Sequence, residues 1–168
     1  MNRLRGLLIT LGTVVLSATA ITLAIVPAQA SGSSSAINIW NSSHCMDNAS
    51  ENNSKVQMWS CTGVIEQKWS VAPSSVGYTF TNQHTGWCLT APASGLGAAT
   101  MSPCVSTAPQ QWTVFAADNP LGPPSGWYDV WQNVSSGYCL TTSSVGNGTV
   151  LQMNDCDPSD QYDRWHEQ

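Results

Sequence analysis

Asp47 and Trp59 are the side chains of this sequence whose types and spacing best suit chemistry, and comparison within the chain singles out each of them. A Cys followed 16 or 17 residues later by a second Cys, then eight or nine residues on by a Trp, occurs three times: Cys45–Cys61–Trp69, Cys88–Cys104–Trp112 and Cys139–Cys156–Trp165. Two residues after the first Cys stands Asp47 in the first copy, against Thr90 and Thr141 in the others. Two residues before the second Cys stands Trp59, against Ser102 and Asn154. The copy with the carboxylate is thus also the copy with the aromatic. A carboxylate only accepts hydrogen bonds, and its two oxygens can receive two neighbouring hydroxyls at once. An indole face packs against the C–H side of a ring and removes water from behind those contacts. Together they suit a polyhydroxylated ring. Gln57, beside Trp59, can donate and accept, and Gln67 can hold the carboxylate in place from behind.

These side chains need strands to position them. Helical periodicity is absent after residue 30, and short runs with period-two alternation recur between Gly, Ser, Asn and Pro clusters. Opening strands are expected over Ile37 to Trp40, Tyr78 to Thr81 and Tyr128 to Gln132. Cys88-Leu89-Thr90 and Cys139-Leu140-Thr141 read as second strands. Val56 to Trp59, Ala99 to Ser102 and Leu151 to Asn154 read as third strands. Lys68 to Val71, Gln111 to Phe115 and the chain end supply a fourth. The pattern predicts an all-β domain of about twelve strands. Side chains alternate between faces, so Val56, Met58, Ala99, Met101, Leu151 and Met153 should point to a core, and Gln57 and Trp59 away from it. Trp69, Trp112 and Trp165 recur in every copy and are expected in the core. Trp40, Trp87, Trp127, Trp131, Tyr128 and Tyr138 are read as hairpin and barrel packing. A unit this small buries its apolar face only against its neighbours, so three repeats, about 36–76, 77–126 and 127–168, share one core. The second connection, Ala116 to Gly126, is expected to be a stiff Pro-rich surface loop. The first copy lacks two residues and the Gly before its first Cys, so its first turn should be tighter.

Residues 1–30 read as a secretory signal peptide: Arg3 and Arg5, an apolar run from Leu7 to Val26, then Ala28-Gln29-Ala30. An uncleaved anchor is the alternative, since the run is nearly long enough to span a bilayer. Both readings put the remainder outside the cytoplasm, with residues 31–35 a Ser/Gly linker and a secreted domain over 36–168. That remainder holds three basic and ten acidic residues, a net charge of −7. Such a balance argues against nucleic acid and anionic membranes as partners. Charged residues make up 9% of the chain, against about a quarter in ordinary domains. Polarity comes instead from neutral hydrogen-bonding side chains, which fits an extracellular protein working through hydroxyl and aromatic contacts.

Six Cys in an exported domain imply disulfides. The repeat selects Cys45–Cys61, Cys88–Cys104 and Cys139–Cys156 from the fifteen pairings. Zinc, the other use of Cys, needs closely spaced ligands that are not present. His44, His84 and His166 do not form a set and read as surface residues. No nucleophile, metalloprotease or phosphate-loop motif is found, and neither metal nor cofactor is expected. Asp155, Asp157, Asp160 and Asp163 read as a solvated acidic face without the spacing of a calcium loop. Asn41, Asn52, Asn133 and Asn147 open Asn-x-Ser/Thr triplets, which mean glycosylation only in a host that glycosylates and otherwise read as exposed turns.

Three repeats of about forty residues, with Gln67-Lys68-Trp69 and Gln110-Gln111-Trp112 at their ends and Val56-Gln57-Met58-Trp59-Ser60-Cys61 inside the first, resemble the ricin B-chain-type lectins. The third copy departs from the pattern in Asp163-Arg164-Trp165. The resemblance implies a β-trefoil, a six-stranded barrel capped by three hairpins, with up to three shallow sugar sites. It carries sugar-binding roles onto Asp47, Gln57, Trp59, Glu66 and Gln67. Glu66 stands where the family usually has Asn, so a donor is replaced by an acceptor. The implied function is a non-catalytic lectin for galactose- or xylose-type glycans, with a carbohydrate as partner. A protein-interaction or inhibitor trefoil with decayed sugar binding is the alternative.

Overall fold

The computed structural model describes residues 34–39, 42–118 and 128–168. The predicted leader, Trp40, Asn41, Trp127 and residues 119–126 lie outside the described residues. Fourteen strands run through the rest: β1 (Ser34–Ser35), β2 (Ile37–Ile39), β3 (His44–Asn48), β4 (Val56–Ser60), β5 (Trp69–Pro73), β6 (Tyr78–Asn82) and β7 (Cys88–Thr90). They continue with β8 (Gly97–Ala98), β9 (Thr100–Ser102), β10 (Trp112–Asp118), β11 (Tyr128–Asn133), β12 (Cys139–Thr141), β13 (Gln152–Asn154) and β14 (Trp165–Glu167). The predicted strands are all present. β1 and β8 were not expected, because two residues carry no alternation to read. Ser34 and Ser35, read as linker, pair with Ser70 and Trp69. Ala116–Asp118, read as loop, extends β10 against Val130, Asp129 and Tyr128 of β11 beyond a register shift.

Strand order explains the barrel. β5, β6, β10, β11 and β14 pair in succession, and β14 pairs with β2. β1 pairs with β5 on the far side. Ser34 to Ile39, interrupted at Ala36, therefore touches both ends of the series and closes a six-membered ring. The hairpins β3–β4, β7–β9 and β12–β13 cap it. Each hairpin's third strand also meets the next copy: Leu151 N–H donates to Val56 O and Ala99 N–H to Leu151 O. The threefold repeat of the sequence is thus a threefold repeat of strand pairing, and the fold is the β-trefoil.

The core follows the alternation. Trp69, Trp112 and Trp165 are fully buried. Each satisfies its indole N–H on a neighbouring strand, at Met46 O (2.9 Å), Leu89 O (3.2 Å) and Leu140 O (2.9 Å). Burying an indole without that acceptor would cost one to three kcal/mol each, by roughly the penalty for an unsatisfied donor. Met46 and Met58, Leu89 and Met101, and Leu140 and Met153 face each other in register across the hairpins, all buried. Trp131 is buried, and Trp87 and Tyr138 pack against the core. The three disulfides join the predicted pairs. In the loop-entropy account each contributes about 3 kcal/mol.

Candidate functional site

The β3–β4 hairpin places two of the predicted residues by register alone. Asp47 lies opposite Gln57, and Cys45 opposite Trp59. Met46 and Met58, between them, point to the core. Asp47, Gln57, Cys45 and Trp59 therefore share the face away from it. Asp47 and Trp59 are diagonal neighbours, with Cα atoms roughly 7–8 Å apart in such a pairing, within reach of an aromatic side chain. Trp59 is 40% exposed, and Asp47 only 6%.

Asp47 is buried because Gln67 covers it. Gln67 ends the 3-10 turn Ile65–Gln67 and is wholly buried. Its Nε2 donates to Asp47 Oδ2 (3.2 Å) and Ser60 O (3.0 Å). Its Oε1 accepts from Thr62 N–H (2.8 Å) and Gly63 N–H (3.2 Å). One amide thus fixes the carboxylate, the end of β4 and the loop that follows it. From the other side Gln57 Nε2 donates to Asp47 Oδ1 at 3.1 Å. A carboxylate accepts only, so the Gln57 amide nitrogen must face it. Gln57 Oε1 is left buried and without a hydrogen-bond partner. Burial pushes the Asp47 carboxyl above the ordinary carboxylate range, the two amide donors oppose that, and the charges of Glu66 and Glu51 add to it.

Asp47, Gln57, Trp59 and Glu66 line one concavity of about 290 Å³. Gln67 stands behind the carboxylate and does not line it. Ser50, Glu51, Thr62 and Val64 complete the lining and were not foreseen; their signal was only nearness to Asp47 and Cys61 in sequence. Glu66 lies at 3.8 Å from His84 Nδ1, and Glu51 at 3.4 Å from Lys55 Nζ. His44, read as a surface residue, is half-buried and opens β3 opposite Ser60.

A contribution invisible in the local sequence comes from the third repeat. Asn147 Oδ1 accepts from Ser60 N–H (2.7 Å) and from its hydroxyl (3.1 Å). Gly148 N–H donates to Met58 O, and Met58 N–H to Thr149 O. The backbone on both sides of Trp59 is therefore held by the Asn147–Thr149 turn. Gly148 sits there at φ +85°, a conformation that glycine adopts without strain.

The equivalent places in the other repeats are closed on themselves. Thr90 Oγ1 and Ser102 Oγ are 2.7 Å apart, and Gln110 Nε2 donates to both. In the third repeat Asp163 occupies the place of Gln67 and Gln110. It is buried, accepting from Asp157 N–H at 2.9 Å. The reading of Asp155 to Asp163 as one solvated face fails there: Asp163 is a structural cap on a loop. Among the described residues no three His, Cys, Asp or Glu side chains come together as metal ligands. Asn133, read as an exposed turn, is buried, with Nδ2 donating to Pro109 O and Gln111 O. It cannot carry a glycan.

The family model of the ricin-type beta-trefoil lectin domain matches residues 32–112 and 76–168. No curated protein matches the chain by sequence. Among solved structures, the designed threefold-symmetric protein ThreeFoil shares 17% identity at TM-score 0.68, covering 80% of this chain and 96% of its own. A ricin B-like lectin of Macrolepiota procera, solved with lactose, shares 15% at TM-score 0.66, covering 81% and 94%. An exo-beta-1,3-galactanase of Clostridium thermocellum shares 16% at TM-score 0.66; the match covers 80% of this chain but only 30% of that enzyme. At these identities the likeness is one of fold.

Proposed function

The chain belongs to the ricin-type beta-trefoil lectin domain family, and from that membership we propose a secreted, non-catalytic sugar-binding protein whose one competent site is in the first repeat. The observation that carries it is a carboxylate, Asp47, held by two amide donors in the same concavity as an exposed indole, Trp59. Each Asp47 oxygen keeps a lone pair after its Gln contact, so the carboxylate can accept a further hydroxyl on each. Trp59 offers a flat apolar face for the C–H side of a pyranose. Galactose- or xylose-type rings are the ligands proposed, in keeping with the lactose bound by the Macrolepiota procera lectin. The second and third repeats lack both groups; the polar side chains of the second bond to one another, and Thr141 of the third donates to Tyr162 O.

One shallow site binds weakly, with Kd around 0.1–10 mM, or about −3 to −5.5 kcal/mol. Glycan-array binding by the protein, compared with Asp47→Ala and Trp59→Ala, tests the proposal. The expected result is a response to a restricted group of glycans, lost in both variants while the folded circular dichroism persists. Retained binding in both variants removes the site. No glycan response, together with a defined protein partner, would favour an interaction trefoil instead.

A further inference from the structure

We propose that this site, if it binds sugar as read above, prefers a sugar carrying a free, protonated amino group over its neutral or N-acetylated counterpart. The reason is the balance of donors and acceptors in the concavity. Three carboxylates line it, Asp47, Glu51 and Glu66, and no basic side chain does. The hydroxyls of Ser50 and Thr62 also line it, and each can accept as well as donate; the amide and amine donors nearby point elsewhere. Gln57 Nε2 and Gln67 Nε2 are engaged with Asp47. The Thr62 and Gly63 N–H groups are engaged with Gln67. Lys55 and His84 do not line it; they stand 3.4 Å from Glu51 and 3.8 Å from Glu66.

A second, independent observation points the same way. Gln57 is 2% exposed, lines the concavity, and its Oε1 has no hydrogen-bond partner. Its orientation is forced by Asp47, so it cannot turn to offer a donor. The lining thus holds more acceptors than donors. An ammonium group is three donors and no acceptor. It answers several of the carboxylates together, where a hydroxyl gives one donor and an acetamide brings an acceptor of its own. The exposed Trp59 face adds a cation–π contact for a charged ring.

The test titrates the protein with three probes: the methyl glycosides of galactose, galactosamine and N-acetylgalactosamine, followed by calorimetry at low and high salt. The expected result is that the free amine binds at least about fivefold tighter than the other two, ~1 kcal/mol. That ratio shrinks with salt and falls toward unity in Glu66→Gln. It stays unchanged in Asp155→Asn, which removes a charge from the third repeat, so general attraction to an acidic protein is separated from the site. Equal or tighter binding of the neutral glycosides overturns the preference and leaves the sugar site standing. A ratio equally reduced by Asp155→Asn overturns it too. Amine binding that survives Asp47→Ala would sink both this preference and the site.

Discussion

At the scale of single residues, the proposed sugar site makes Asp47 the group on which recognition and pH dependence turn together. Protonation replaces one of its acceptor lone pairs with a donor, and burial raises the pH at which this happens. Sugar affinity should therefore decline on acidification beginning above the ordinary carboxylate range, and titration calorimetry across that range would register it. Hydroxyls bound to the ionised form should pull the carboxyl back down, so binding near that pH releases protons. The sign for stability is opposite. A carboxyl with a raised folded-state pKa binds more protons folded than unfolded, so its contribution falls as pH rises from 3.8 through the folded value. Asp47→Asn should remove that dependence, seen as a flatter plot of unfolding free energy against pH. Gln57 can turn its amide to receive the introduced one, which keeps the variant folded. The same substitution should weaken sugar binding tenfold or more, since hydrogen bonds to a charged group are worth about 1.5–3 kcal/mol. That Asp47 and Trp59 stand out from their counterparts was legible in the sequence because the repeats serve as each other's controls, and their shared face followed from alternation. The orphaned Gln57 Oε1 was not: the sequence shows a Gln able to do either job, and only the register with Asp47 settles which end faces inward.

At the scale of elements, the site is a hairpin braced from two sides. The 3-10 turn ending at Gln67 fixes Asp47, and the Asn147–Thr149 turn fixes the strand under Trp59. The strands themselves were readable from alternation. Ala99 and Leu151 are buried beside β9 and β13, as the period-two pattern requires. The 3-10 turns were not readable, since three residues carry no periodicity. The Asn147 brace spans 87 residues of sequence, and nothing local to residue 60 announces it. Asn147→Ala should lower thermal stability modestly, by about 1 kcal/mol or a few degrees. It should also weaken sugar binding several-fold through Trp59, measured by tryptophan-fluorescence titration. Unchanged affinity at reduced stability would make the brace structural only. Asn133, equally a triplet-opening Asn by sequence, turned inward because its amide bridges the second and third repeats at Pro109 and Gln111.

At the scale of the whole molecule, three weak units become one fold because backbone bonds join their hairpins, Leu151 to Val56, Ala99 to Leu151 and Met101 to Ser54, and the N-terminal strand closes the ring between β5 and β14. The triplication, its spacing and its Cys pairing were visible in the sequence. Closure was not, because Ser34 and Ser35 carry no pattern that distinguishes a strand from a linker. Stability is shared across the repeats while the proposed recognition is local, and the two should separate. Replacing Cys88 and Cys104 together by Ala should cost about 3 kcal/mol in denaturant unfolding and leave sugar affinity at the first repeat unchanged. Single-site stoichiometry is the most direct test of the account. Titrating a galactose-type ligand into the protein while following the amide and indole NMR signals of all three repeats should give one saturating set of shifts. Those shifts should be confined to Asp47, Gln57, Trp59 and their neighbours, and lost in Asp47→Asn. Saturable shifts around Thr90 or Thr141, with the first repeat silent, would contradict it.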